Sequence, residues 1–333
     1  MIEAGFRKKK IWVSRRLPEA VMELLGKNFE VDCHPGDRGL SREELLLRVK
    51  GQDGLLPLLT DRIDGEVMEA AGPQLKIIAN YAVGFNNIDL PAATARKIAV
   101  TNTPGVLTDT TADLTMALIL GVARRLVEAD QYTRAGKFQA WAPLLFLGAD
   151  VHHKTLGIMG FGRIGSAVAR RARGFDLTIL YHNSRQADPE LEEQVGARLV
   201  DKETLLRESD FVSLHVPLTP QTTRFMGAAE FSQMKPTAFL INTSRGEVID
   251  EEALVEALIT GQIAGAGLDV FEHEPVIHPA LLSLDNVILL PHIGSGSVET
   301  RTKMGLMAAA NLIAAFQGKN PPNCLNPEVY DPT

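Results

Sequence analysis

Apolar positions along this chain fall into short β-branched or aliphatic runs, separated by stretches in which they recur every three or four residues. In the first hundred residues the runs are "KIWV", "FEVDCH", "GLLPLL", "LKIIANYA" and "IAVTNT", with "SREELLLRVK" among the amphipathic stretches between them. Such runs read as strands and the intervening segments as helices, and their alternation predicts a parallel sheet with helices on both faces. The rhythm breaks near Thr103-Pro104-Gly105. One long helical pattern then covers about Thr108 to Ala135, with Asp109, Thr110 and Thr111 as candidate caps at its start. Beyond the loop "GKFQAWAPLLFLGADVHH" come "TLGIMG", "TILYH", "FVSLHV", "AFLINT", "GAGLDV" and "VILLPH". Six strands with helical segments between them are the content of a dinucleotide-binding fold. The last segment, about Val298 to Gln317, predicts one amphipathic helix rich in Ala and Met.

Composition changes this picture little. The 333 residues, 45% of them apolar, supply enough material for about two cores. A formal net charge of -7 speaks against a nucleic-acid partner, and Lys8 to Lys10 read as a solvated lead-in to a strand. The only cysteines, Cys33 and Cys324, form neither a disulfide framework nor a metal-ligand spacing, so no metal is expected and a reducing cytoplasm fits best. The basic N-terminus lacks the apolar core of a signal peptide. The run "MALILGVA" (Met116 to Ala123) is too short to span a bilayer, so no membrane partner is expected.

The chemistry begins at "LGIMGFGRIG". Gly160, Gly162 and Gly165 follow an apolar strand and open a helical run. Gly160 permits the tight turn, Gly162 lets a pyrophosphate approach the backbone, and Gly165 allows close packing of the helix. Arg163 and Ile164 then sit at a helix N-terminus whose amides face anionic phosphates.

In open parallel sheets ligands sit outside the carboxyl ends of the strands. Three later strands of this series are followed there by polar residues: "FLINTSRG" by Arg245, "LDVFEHEP" by Glu274 and "ILLPHIGSGS" by His292. Each has a bland reading as a surface cation, a loop carboxylate or a satisfied strand-end histidine. Together they form an acid-base constellation beside a hydride carrier. A carboxylate keeps its histidine partner protonated, as donation to a carbonyl oxygen requires, and a guanidinium grips a carboxylate. The implied ligand is a small 2-oxo acid.

With these motifs in order, "NYAVGFNNIDL", "NTPGVLTDTTADLTMALIL", "KTLGIMGFGRIG", "HVPLTPQTT", "INTSRGEVIDEEAL", "GLDVFEHEP" and "PHIGS", the chain resembles the D-isomer-specific 2-hydroxyacid dehydrogenases over almost its whole length. Within that family it looks most like the glyoxylate and hydroxypyruvate reductases, from "LTDTTAD", the Trp141 loop and "PHIGSGSVETRTKM". The resemblance implies an α/β fold of two doubly wound parallel-sheet domains. A Rossmann NAD(P)-binding domain, residues 103–294, is inserted into a flavodoxin-like substrate-binding domain made of 1–102 and 295–333. It implies catalytic roles for Arg245, Glu274 and His292. It also implies substrate contacts from the Val83 and Gly84 amides, from Arg245 and from Leu59 and Trp141, and cofactor contacts from Pro217, Thr243, Asp269 and Gly294. Leu59 and Trp141 also read as core or dimer contacts, and the helix after Thr108 as a dimer element, so a homodimer is expected. A gluconate-type 2-oxo acid reductase of the same family and a nucleotide-sensing interaction protein on this fold remain open.

The strand after the glycine turn ends in His182, Asn183, Ser184 and Arg185, where NAD-preferring relatives carry a carboxylate for the ribose 2′-hydroxyl. A carboxylate would repel a 2′-phosphate, and arginine is suited to hold one. NADP(H) is therefore the expected cofactor, with NAD(H) possible if Arg185 is only a solvated loop residue.

Overall fold

The structure, a computed structural model, describes residues 7–330. It divides into two compact units, parted between Leu107 and Thr108 and again between Ser295 and Gly296. The divisions expected from the sequence are at 102–103 and 294–295. Among the described residues no helix is long and apolar enough to cross a membrane.

The first unit is built on strands β1 (Lys10–Val13), β2 (Glu30–Cys33), β3 (Gly54–Leu56), β4 (Ile77–Ala79) and β5 (Ala99–Thr101). They form one parallel sheet in the order β2-β1-β3-β4-β5, the flavodoxin-like arrangement. Helices α1 (Glu19–Asn28), α2 (Arg42–Arg48), α3 (Gly65–Ala71) and α4 (Leu90–Ala95) link them. The last three are too short to persist alone, so caps and packing must hold them. Ser41 closes a capping box with Glu44, Asp64 accepts from the Val67 amide and Asp89 from the Ala92 amide, each cap contributing about 1 kcal/mol. One face of the sheet buries Ile11, Val13, Leu56 and Ile77 with residues of α1 and the C-terminal helix, and the other buries Trp12, Leu55, Val67 and Ile78.

The second unit carries α5 (Thr108–Ala123), α6 (Leu126–Arg134), β6 (Thr155–Met159), α7 (Arg163–Ala172), β7 (Thr178–His182), α8 (Pro189–Val195), β8 (Ala197–Leu199) and α9 (Lys202–Glu208). It continues through β9 (Phe211–Leu214), α10 (Ala228–Phe231), β10 (Phe239–Asn242), α11 (Glu251–Ile259), β11 (Gly265–Leu268) and β12 (Val287–Leu289). The C-terminal helix α12 (Val298–Phe316) returns to the first unit. The seven strands are all parallel in the order β12-β11-β10-β9-β6-β7-β8, so the order reverses between β6 and β9. This is the dinucleotide-binding arrangement with one strand added at the β12 edge.

Two features depart from the sequence expectation. The six strands expected here are seven, because β8 escapes notice: it has three residues, lies at the sheet edge and leaves Arg198 and Leu199 exposed. The single helix expected from Thr108 to Ala135 is two, α5 and α6. Arg125 takes a left-handed φ of 54° between them, and the chain around Gly148 occupies the end of α5. The Ala149 amide donates to the Ala123 carbonyl at 2.8 Å, and a Cβ on Gly148 would overlap that same carbonyl oxygen. Asp109, Thr110 and Thr111 lie inside the first turn of α5 and not at its cap.

Gly148→Ala is expected to destabilise the protein by about 1–3 kcal/mol through overpacking against α5. The shift of the denaturant midpoint at constant slope measures it, and an unchanged midpoint would mean that this contact is not maintained in solution.

Candidate active site

The glycine turn lies at the carboxyl end of β6, beside the point where strand order reverses. Gly160 has φ +93°, and a Cβ there would stand 2.7 Å from the backbone of His215 and Val216, which leaves the neighbouring strand β9. A Cβ on Gly165 would overlap the Gly160 carbonyl oxygen, so this glycine lets α7 press against the turn. Gly162 is different. A Cβ there would meet no protein atom within 4 Å, so nothing in the chain's own packing requires glycine, whereas an approaching ligand would. Gly162 is also the N-cap of α7 and provides no side-chain cap, which leaves the first-turn amides of Arg163 and Ile164 to an outside acceptor. These features fit the pyrophosphate of a dinucleotide. Beneath the turn, the ring of His215 is buried and bonded to Ser213 Oγ at 2.8 Å; burial pushes its pKa down to about 3, so it is neutral.

The second group of residues lies beyond β10, β11 and β12. Asn242 ends β10 and is fully buried; its Oδ1 accepts from the Ser244 amide at 3.0 Å and its Nδ2 donates to the Arg245 carbonyl at 2.9 Å. This clamp sets the turn from which Arg245 projects. The next residue, Gly246, passes so close to the Phe271 carbonyl that a Cβ would overlap it, which keeps the Arg245 turn against the segment leading to Glu274. Glu274 Oε1 accepts from the Phe271 amide at 3.1 Å, and Oε2 lies 2.9 Å from His292 Nδ1. Since an ionised carboxylate only accepts, Nδ1 is assigned as the protonated donor. His292 Nε2 has no hydrogen-bond partner among the described residues, and the side chain remains 23% exposed.

Charge balances in this group. Burial pushes the Glu274 carboxyl up, but the His292 bond and charge, the Phe271 amide and the Arg245 guanidinium outweigh it and hold it below the ordinary value. Burial pulls Arg245 down from its ordinary value, opposed by the charges of Glu274 and Glu247, yet a guanidinium stays cationic. Asp269, at the end of β11, is raised by burial against the Ile293 and Gly294 amides and His292. Its two oxygens accept those amides at 2.7 Å each, and its carbonyl accepts from the His292 amide at 3.0 Å. The Thr111 hydroxyl donates to the Gly294 carbonyl, and Thr243 Oγ1 shares a hydrogen bond with Thr115 Oγ1. A histidine held by a carboxylate beside a half-buried guanidinium can move a proton to or from an oxygen of a bound anion.

The structure therefore brings Arg245, Glu274 and His292 together, and gathers Asp269, Thr243 and Gly294 around their support. Pro217 follows β9, is exposed, and accepts the Thr222 hydroxyl on its carbonyl. The His182 ring is taken up internally, with Nδ1 bonded to the Val200 carbonyl at 3.2 Å and its face stacked toward Phe225. Ser184 and Arg185 stand exposed, with Asn183 Nδ2 donating to the Arg185 carbonyl. In the first unit, the loop after β4 has its carbonyls occupied: Ala82 accepts from the Thr103 amide, Val83 from Asn102 Nδ2 and Gly84 from Asn80 Nδ2. The Val83 and Gly84 amides donate to no acceptor among the described residues. Leu59, after β3, is half-buried, and Trp141 stands 81% exposed, which removes it from any core. Asn242 and Gly246 escape sequence reasoning, although both lie inside the "INTSRG" motif.

Comparison with known proteins accords with this geometry. Residues 116–294 match the family model described as D-isomer specific 2-hydroxyacid dehydrogenase, NAD binding domain. A glyoxylate reductase of Thermococcus litoralis is 52% identical over 326 residues, spanning 97% of this chain and 98% of that protein. A crystal structure of an NADPH-dependent glyoxylate/hydroxypyruvate reductase from Sinorhizobium meliloti, in complex with NADP and malonate, superposes with a TM-score of 0.82. It is 34% identical, over 98% of this chain and 99% of that one. A glyoxylate reductase from Paecilomyes thermophila gives 0.84 at 35% identity, over 96% and 99%. The chain belongs to the D-isomer specific 2-hydroxyacid dehydrogenase family and is an NAD(P)-dependent enzyme of that family, closely related to glyoxylate reductases.

Proposed function

We propose that this enzyme reduces small 2-oxo acids to D-2-hydroxy acids with NADPH, converting glyoxylate to glycolate and hydroxypyruvate to D-glycerate. The observation that carries the reading is the 2.9 Å His292–Glu274 bond beside the half-buried Arg245, with Nε2 left over for a ligand. The names of the Thermococcus and Sinorhizobium relatives support the substrate class.

Arg163, Ile164 and the glycines of the turn hold the pyrophosphate, and Pro217, Thr243, Asp269 and Gly294 the nicotinamide end. NADPH bound there would supply the hydride for reduction of the oxo acid at C2. His292 Nε2 gives its proton to the carbonyl oxygen as negative charge develops there, while Glu274 holds Nδ1–H and orients the ring. Arg245 pairs with the substrate carboxylate and polarises the carbonyl. Trp141, exposed on the loop after α6, is read as a contact for the substrate side chain.

The cofactor preference rests on Arg185 and its neighbours Asn183 and Ser184, which supply charge and donors and no carboxylate. His182 contributes by placement, since its ring is held by Val200. A homodimer is part of the reading: Leu126, Phe138, Trp141, Leu144 and Leu147 are each more than half exposed along α6 and the loop after it, a run of apolar surface that a second copy would cover. The free Cys33 and Cys324 are in keeping with a reducing cytoplasm.

Purified enzyme is expected to oxidise NADPH with glyoxylate or hydroxypyruvate, read by loss of nicotinamide absorbance; no oxidation with any small 2-oxo acid would remove the proposal. His292→Ala should lower kcat by about a hundredfold or more with cofactor affinity retained, because general acid catalysis contributes about that factor. Surviving turnover would place the proton donor elsewhere. For the cofactor, kcat/KM should favour NADPH over NADH. Arg185→Ala should cut the NADPH value by about ten- to a hundredfold, the scale of lost charge-assisted hydrogen bonds, and barely touch NADH. Equal use of both cofactors by the unaltered enzyme would show the site to be indifferent. Sedimentation at micromolar concentration should report a dimer, and a monomer would exclude that part of the reading.

A further inference from the structure

Between β7 and α8 the chain makes the exposed excursion Asn183 to Asp188 that carries Arg185. A loop this short and polar would ordinarily sample many shapes, yet its return is bonded to a side chain of its own strand. Tyr181, the residue before His182, is fully buried at the ring. That ring stacks on Phe161 of the glycine turn, with centroids 4.2 Å apart and planes 25° from parallel. Its hydroxyl accepts the Ala187 amide at 2.9 Å and donates to the Glu192 carboxylate on α8. The other Glu192 oxygen accepts from Gln186 Nε2 at 2.9 Å. With Asn183 Nδ2 on the Arg185 carbonyl at 3.0 Å, the excursion is closed at both ends. The Tyr181 and Gln186 bonds hold the Glu192 carboxyl below its ordinary value, so the arrangement is intact at neutral pH.

The connection runs in one direction through rigid parts. Phe161 lies inside the turn read as the pyrophosphate site, Tyr181 stacks on it, and the Tyr181 hydroxyl fixes the far end of the loop carrying Arg185. We infer that Tyr181 and Glu192 are positioning residues for cofactor discrimination: they hold the 183–187 loop at a set distance from the glycine turn, so that its donors meet the adenosine 2′-phosphate and not the 2′-hydroxyl. This deepens the cofactor assignment above and rests on it. Neither residue touches the substrate. The ordering of the loop is established before the cofactor arrives, so the phosphate is met by donors already placed.

Tyr181→Phe keeps the ring and its stack and removes only the hydroxyl. In the ligand-free enzyme, hydrogen–deuterium exchange of a peptide spanning residues 183–190 should quicken several-fold, up to about tenfold, the scale of one lost hydrogen bond, while exchange in β6 and β9 stays unchanged. In steady state KM for NADPH should rise by a similar factor, with kcat and the NADH parameters within about twofold of the unaltered enzyme. Glu192→Ala should act in the same direction. Combining Tyr181→Phe with Arg185→Ala should add little to Arg185→Ala alone, because the latch acts through the loop that Arg185 occupies.

Unchanged exchange, or equal losses with both cofactors, would overturn the inference and leave Tyr181 a structural residue. Quickened exchange in an enzyme that never preferred NADPH, with Arg185→Ala silent, would instead sink the cofactor assignment and with it the functional half of the latch. The two failures differ in whether the unaltered enzyme prefers NADPH and in whether Arg185→Ala changes that preference.

Discussion

The strand-end edge that carries the candidate site depends on one buried carboxylate accepting two successive amides. Asp269 takes the Ile293 and Gly294 N–H groups at 2.7 Å each, while its own carbonyl takes the His292 amide. That three-bond clasp lets His292 persist at φ 55°, a left-handed conformation that a histidine adopts only at a cost. An extended backbone at this residue would send the ring elsewhere, and the 2.9 Å bond to Glu274 could not form. Burial raises Asp269, so the donors that hold the turn also keep its charge in the interior. Shape and electrostatics are therefore secured by the same few atoms, and removing the carboxylate would disturb both.

Around that clasp, close approach of backbones decides which side chains meet. Gly246 lets the Arg245 turn lie against the Phe271 carbonyl, Gly160 admits the backbone leaving β9, and Gly165 brings α7 down on the turn. A parallel sheet brings its strand ends to one edge; these glycines bring the connecting loops together there. Asn242 then fixes the Arg245 turn from below.

Much of this was legible in the sequence, and for identifiable reasons. Strands with several buried aliphatic residues, such as β6 and β10, announce themselves by composition, and the glycine turn by its spacing between a strand and a helix. Arg245, Glu274 and His292 can be singled out as candidates because strand-end polarity is a local property. Local signals failed where long-range contact decides. The break between α5 and α6 comes from a segment more than twenty residues away, and β8 is made a strand by pairing with β7 despite two exposed positions. The tyrosine of "TILYH" reads as one more core residue; only the folded chain brings its hydroxyl to Ala187 and Glu192. Asp269 likewise gave no sequence sign that its oxygens are spent on the backbone of the next strand's turn.

The three glycines of the turn answer to different selective forces. Gly160 and Gly165 are demanded by atoms of the chain itself, so any side chain there is penalised as soon as the protein folds. At Gly162 the space beyond Cα is open, and an alanine would meet only solvent until a ligand arrived. Cellular quality control, which responds to unfolded chain, would pass such a variant at full abundance. A population carrying it would thus hold a silent, well-folded protein, and only selection acting on metabolism would keep that position glycine.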